Sequence, residues 1–168
     1  MGGEKAELRW HALRARTMCL AMKIVIASDH GGFELKRELA EWLRGLGHEV
    51  SDLGTESAAS VDYPDYGYRL AEQIAAGAAD FGIAMCGSGI GISIAINRNP
   101  AARCALVSEP LSARLAREHN DANVLAFGGR LLGPEMAKAC IEAFLAASFA
   151  GERHARRVEK LSKTPQDA

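Results

Sequence analysis

The residues best suited to chemistry lie in the run Phe81-Gly-Ile-Ala-Met-Cys86-Gly87-Ser88-Gly89-Ile90-Gly91. A short apolar stretch ends in a thiol, and a glycine-rich turn then leads into a helical pattern. Such a turn points backbone N–H groups at one spot where an anion can sit. Helix N-termini lower cysteine pKa values, so a thiol there can serve as base or nucleophile. The alternative is a turn that only lets strand and helix pack closely, with Cys86 as a small buried apolar side chain. No Lys-Ser/Thr pair follows the last glycine, so this is not a nucleotide P-loop, and no dinucleotide fingerprint is complete.

Four further clusters carry polar groups. Asp29-His30-Gly31-Gly32 reads either as a helix cap with its turn or as a polar pair for hydroxyl or phosphate groups. In Arg117-Glu-His119-Asn120-Asp-Ala-Asn123, His119 either complements a helix dipole or moves a proton near neutral pH. Gly128-Gly-Arg130 and Arg153-His-Ala-Arg-Arg157 supply cations; Arg153 and Arg157 are four apart on one helix face and either grip one phosphate or stay solvated. Asp62-Tyr63-Pro64 opens a helix, with Tyr63 at most a pocket wall.

These clusters need a scaffold that brings them together. Ile24–Ala27 reads as a strand, and Leu35, Leu39, Trp42, Leu43 and Leu46 repeat at helical spacing before Gly45 and Gly47. Further strands are expected at 48–53, 80–85, 103–107 and 123–127. The helices between them begin near Asp62, Ile90, Ser108 (its expected N-cap) and Gly133. The helix after Gly133 carries Met136, Cys140, Ile141, Phe144 and Leu145 on one face, and a last basic helix spans 152–161. Strands alternating with helices, apolar on both faces, imply an α/β fold: one doubly wound domain, a five-stranded parallel sheet of flavodoxin-like order 2-1-3-4-5, and a C-terminal helix. Ligands in such sheets bind beyond the carboxyl ends of the strands. Asp29-His30 and Cys86-Gly-Ser follow adjacent strands in that order.

Composition narrows the class. The chain has 168 residues, 48% hydrophobic and 24% charged, as in an ordinary globular domain. A net charge of −1 argues against a nucleic-acid binder working by bulk electrostatics. No apolar run is long enough for a membrane span. Cys19, Cys86, Cys104 and Cys140 have neither disulfide-framework nor zinc spacing, which fits a reducing cytoplasm. Residues 1–21 read as an extension ahead of a domain at 22–163, with a tail at 164–168. A signal peptide over 14–27 is disfavoured, because cleavage would remove the first strand.

Taken in order, Ser-Asp29-His30-Gly-Gly, Asp62-Tyr63-Pro64, Cys86-Gly-Ser-Gly-Ile-Gly-Ile-Ser, Arg117-Glu-His119-Asn120-Asp-Ala-Asn-Val-Leu-Ala-Phe-Gly-Gly-Arg130 and Gly151-Glu-Arg153-His-Ala-Arg-Arg157 resemble the type B ribose-5-phosphate isomerases over about 22–163. The resemblance implies interconversion of ribose 5-phosphate and ribulose 5-phosphate through an enediolate, without metal or organic cofactor. It implies Cys86 as base, and His119 with Asp29 in ring opening. The N–H groups of Gly87, Gly89, Ile90 and Gly91 and the Ser88 hydroxyl would hold the oxyanion. Asn120 would bind sugar oxygens, and Arg130, Arg153, Arg157 and His30 would face the phosphate. Some members replace the cysteine by a glutamate just after the last loop glycine; Ile92 stands there in this chain. The resemblance also implies a homodimer or tetramer in which His119 and Arg130 reach the neighbouring subunit's site. A six-carbon aldose 6-phosphate such as allose or galactose 6-phosphate is the competing substrate, and a non-catalytic phosphosugar- or nucleotide-binding module the competing class.

Overall fold

The computed structural model describes residues 21–163. The expected extension, except Ala21, and the tail at 164–168 lie outside the described residues. The elements are β1 (Lys23–Ser28), a 3₁₀ turn (His30–Gly32), α1 (Phe33–Gly45), β2 (Glu49–Asp52), α2 (Tyr63–Ala75), β3 (Phe81–Cys86), α3 (Ile90–Ile96), β4 (Cys104–Leu106), α4 (Pro110–Asn120), β5 (Val124–Gly128), α5 (Pro134–Leu145) and α6 (Glu152–Leu161).

All strand pairs are parallel, and the five-stranded sheet has the order β2-β1-β3-β5-β4. The doubly wound α/β class is as the sequence implies, but the expected order 2-1-3-4-5 is corrected at one edge. Burial accounts for the exchange. All five residues of β5 are buried, which requires a strand on each side, whereas β4 has three residues and Leu106 is 45% exposed. A short, half-exposed strand belongs at an edge.

The sheet is covered on both faces. Ile24, Ile26, Ile83 and Met85 point to a layer formed by α1, α4 and α5; Val25, Ala27, Ala84 and Cys86 point to α2 and α3. Leu35, Leu39 and Leu43, four apart, put the apolar stripe of α1 on the first layer. Each such leucine contributes about 1.5–3 kcal/mol by leaving water. The chain after α1 turns through Gly47, whose φ of +91° favours glycine. Two local expectations change. Glu109, not Ser108, caps α4, accepting from Leu111 N at 2.7 Å and Ser112 N at 2.5 Å; a carboxylate here also faces the positive end of the helix dipole. Met136 is 43% exposed, so the buried face of α5 consists of Ala137, Cys140, Ile141 and Phe144.

Candidate active site

The loops after β1, β3 and β5 meet at the carboxyl end of the sheet because their glycines let backbones touch. A Cβ on Gly31 would stand 2.8 Å from Gly87 N, one on Gly128 2.8 Å from Ser88 O, and one on Gly129 2.5 Å from Gly31 O. The β3–β5 hydrogen bonding runs past the strands: Gly129 N donates to Cys86 O at 2.8 Å and Arg130 N to Gly87 O at 3.1 Å. Cys86 thus ends β3 in a fixed position, 4% exposed, its Sγ accepting from Gly89 N at 3.1 Å. Gly89 takes a φ of +77° to make that bond. Ile90 N donates to Ser88 Oγ at 3.3 Å, so two N–H groups of the loop are engaged by its own side chains.

Around this loop stand several of the other expected residues. Asp29, 6% exposed, accepts from Gly31 N at 2.8 Å through Oδ1, and its own N–H bonds Met85 O at 3.2 Å. His30 Nδ1 lies 3.2 Å from both Val61 N and Val61 O, which ties the long loop before α2 to the site. The Tyr63 ring covers Gly91, where a Cβ would meet Cζ at 2.6 Å. Arg130 lies against Gly87, whose Cβ would be 3.3 Å from the guanidinium carbon. The turn after β5 delivers Arg130 to the β3 loop of its own chain, whereas the resemblance groups it with His119 at a neighbour's site. Ile92 is wholly buried in the apolar layer beneath. Among the remaining thiols, Cys140 is buried in the first apolar layer and Cys104 packs half-buried against the second; burial is the first cause raising both pKa values, that of Cys140 to about 11.

His119, Asn120, Arg153 and Arg157 do not join this cluster. The chain turns from α4 at Asp121, whose carboxylate pairs with Arg103 and Arg117. Arg117 in turn lies over the ring of Phe81, the first residue of β3, at 5.3 Å. His119 therefore sits at the amino ends of the strands. β5 runs from Val124 beside Gly82 to Gly128 beside Cys86, so the two ends of the sheet are about 13 Å apart along that strand. α6 docks there through Ala150 N, which donates to Glu118 O at 2.9 Å, and through the imidazoles of His119 and His154, stacked 4.4 Å apart and 6° from parallel. His154 is 9% exposed, and Arg153 Nε donates to its Nε2 at 3.3 Å. Burial first, then the charges of His119, Arg153 and Arg157, hold the His154 pKa below the ordinary imidazole value. The sequence reading took His154 as one more member of a basic run. Its signal is an uncharged pair four residues apart, His154 and Val158, on an otherwise charged helix.

One chain thus carries two polar clusters, a thiol with an aspartate, a serine and an arginine at one end of the sheet, and a histidine pair with arginines at the other. Residues 24–161 match a family model described as Ribose/Galactose Isomerase. Ribose-5-phosphate isomerase B of Escherichia coli (strain K12) is 47% identical over 144 residues, 86% of this chain and 97% of that protein. The chain belongs to the ribose/galactose isomerase family. Two solved structures agree. A ribose 5-phosphate isomerase from Thermotoga maritima is 50% identical, with a TM-score of 0.84 over 85% of this chain and 99% of that one. Ribose-5-phosphate isomerase B from Mycoplasma genitalium, with bound ribulose-5-phosphate, is 36% identical, with a TM-score of 0.81 over 86% and 97%. As a member of the ribose/galactose isomerase family, this protein is a sugar-phosphate isomerase. Among the described residues no helix is long and apolar enough to cross a membrane.

Proposed function

We propose that this isomerase interconverts D-ribose 5-phosphate and D-ribulose 5-phosphate, with no metal or organic cofactor, and that each site is completed by a second copy of the chain. The observation that carries this reading is the division into half-sites. The Cys86 end holds a base, an acid partner and a cation; its own histidine, His30, is tied to Val61 and faces the phosphate, and a second histidine for ring opening, His119, stands at the other end of the same chain. In a symmetric pair each copy receives what it gives.

In this mechanism His119 of one copy and Asp29 of the other move the protons that open the furanose: one leaves the anomeric carbon-1 hydroxyl as the carbon-1 carbonyl forms and the bond to the ring oxygen breaks, and another is delivered to that ring oxygen, which becomes the carbon-4 hydroxyl. The Cys86 thiolate then takes the proton from carbon 2 of the open aldose. The electron pair moves onto the carbon-1 oxygen, giving an enediolate held by the Ser88 hydroxyl and the N–H groups of the 87–91 loop, those of Gly89 and Ile90 turning to it from Cys86 Sγ and Ser88 Oγ. The same thiol returns the proton to carbon 1 as the carbon-2 hydroxyl proton passes to the carbon-1 oxygen, which yields the ketose. Asn120 binds sugar oxygens; His30 and Arg130 of one copy, with Arg153 and Arg157 of the other, face the phosphate, where guanidinium pairs suit the oxygens. Tyr63 forms the wall over Gly91.

Turnover of ribose 5-phosphate followed by NMR in D₂O, with and without chelator, tests the reading. Wild type is expected to form ribulose 5-phosphate in both conditions and to place deuterium at carbon 1. Cys86→Ala should lose about 10³-fold or more of kcat. Unchanged turnover in that variant overturns the base, abolition by chelator overturns the cofactor-free mechanism, and faster turnover of allose or galactose 6-phosphate overturns the substrate.

A further inference from the structure

We infer that His154 is a positioning residue for His119, fixing its ring by parallel stacking while remaining neutral, and that it orients Arg153 through the same imidazole. The inference rests on the reading of His119 as the ring-opening group. Three observations support it. The rings are 6° from parallel at 4.4 Å, so the plane of the half-exposed His119 is set by a ring that is itself 9% exposed. His154 is anchored by its own helix, its N–H bonding Gly151 O at 2.9 Å. Finally, Arg153 Nε can only donate, so His154 Nε2, at 3.3 Å, must be an acceptor, and the ring's proton is on Nδ1.

A protonated His154 would lose that acceptor and face more cations than anions. From α4 it meets His119, while Glu118 is committed to Arg114 at 3.7 Å. From its own helix it meets Arg153 and Arg157, with Glu152 the opposing charge. Two charged imidazoles in a parallel stack repel, so a neutral His154 leaves His119 free to carry the proton that ring opening requires. The hydrogen bond to Arg153 occupies Nε and leaves the terminal guanidinium nitrogens for phosphate.

Substrate chemistry separates this role from general damage. Ribose 5-phosphate closes through its carbon-4 hydroxyl and must be opened. Ribulose 5-phosphate cannot close a five-membered ring, since its carbon-5 oxygen is phosphorylated, so exchange of its carbon-1 proton with solvent needs only the Cys86 half of the chemistry. His154→Ala is expected to lower kcat on ribose 5-phosphate about 10–100-fold and to raise KM for both pentose phosphates, while carbon-1 exchange at saturating ribulose 5-phosphate in D₂O stays within about 2-fold of wild type. His154→Phe, which keeps a flat neutral ring but no acceptor, should restore kcat and leave KM raised. ¹⁵N NMR of the wild type should show His154 neutral at pH 7 with its proton on Nδ1. Unchanged kcat in His154→Ala, an equal loss of carbon-1 exchange, no rescue by phenylalanine, or a protonated His154 overturns the inference. A wild type inactive on both pentose phosphates overturns instead the functional reading beneath it.

Discussion

Gly129 and Gly31 touch backbone to backbone: a methyl group on Gly129 would stand 2.5 Å from the Gly31 carbonyl oxygen and 2.9 Å from Gly32 Cα. With Gly129 N bonded to Cys86 O, this contact clamps the loops of β1, β3 and β5 together. Neither neighbour is a side chain that can swing away. Gly129→Ala should therefore lower stability by about 1–3 kcal/mol and displace Asp29 relative to Cys86, with kcat falling more than KM rises. Gly45→Ala, at an exposed helical position with open space around its Cα, should stabilise by about 0.5–1 kcal/mol. Urea denaturation of both variants checks the contrast; equal effects would contradict the clamp.

A second prediction concerns the buried ammonium of Lys36. Its Nζ lies 2.5 and 2.6 Å from the two Asp52 oxygens, and Asp52 Oδ1 also accepts from Gly54 N at 2.9 Å. The side chains are 3% and 30% exposed. Removing the carboxylate strands a buried cation, whereas removing the cation leaves a carboxylate that water can reach. Asp52→Ala should cost about 3–5 kcal/mol, and Lys36→Met clearly less. Chemical denaturation gives the order, and the reverse order would refute this account of the pair.

The pH dependence of stability follows from two histidines. His48, which accepts from Met22 N at 3.3 Å, and His154 both have depressed pKa values in the folded chain, in each case first through burial. The unfolded chain takes up their protons at about pH 6.5, and the folded chain resists. Their contribution is therefore complete above about pH 6.5 and declines as pH falls from there through the lower folded values. The urea midpoint should drop between about pH 6.5 and 5, above most carboxylate titrations, and His154→Phe should flatten the drop. A midpoint that rises on acidification would show the opposite sign.

Complementation tests the assignment of residues to half-sites. Cys86→Ala and His119→Ala are each expected to be inactive. Mixed and reassociated, they should recover about a quarter of wild-type activity, the share of sites that random pairing leaves intact. Arg130 flanks Gly87 of its own chain, so Arg130→Ala should complement His119→Ala but not Cys86→Ala. Recovery in the last mixture would place Arg130 in the other half.

Much of this was legible because it is local. Compact β-branched runs mark β1 and β3, and the i, i+4 leucines mark α1. The turn chemistry of Gly31, Gly87 and Gly129 sits beside the polar residues it positions. What was not legible depends on distances between segments. Whether β4 or β5 lies inside the sheet is decided by competition for burial, and three residues against five decide it for β5. The contact of Arg130 with Gly87 is hidden for the same reason, since no sequence pattern states which way the turn after β5 faces. His154 was missed because its role comes from a ring on another helix.

The inner place of β5 also bears on how the molecule is made. β4 pairs only with β5, and β3 has β5 as its second neighbour. During synthesis β4 therefore emerges with no strand to join, and β3 keeps one bare edge until Val124–Gly128 inserts between them. Such late, non-local insertion slows folding and leaves an edge open to wrong partners. Since Gly128 is the residue that pairs with Cys86, the thiol at the end of β3 gains its final surroundings only with that closing step.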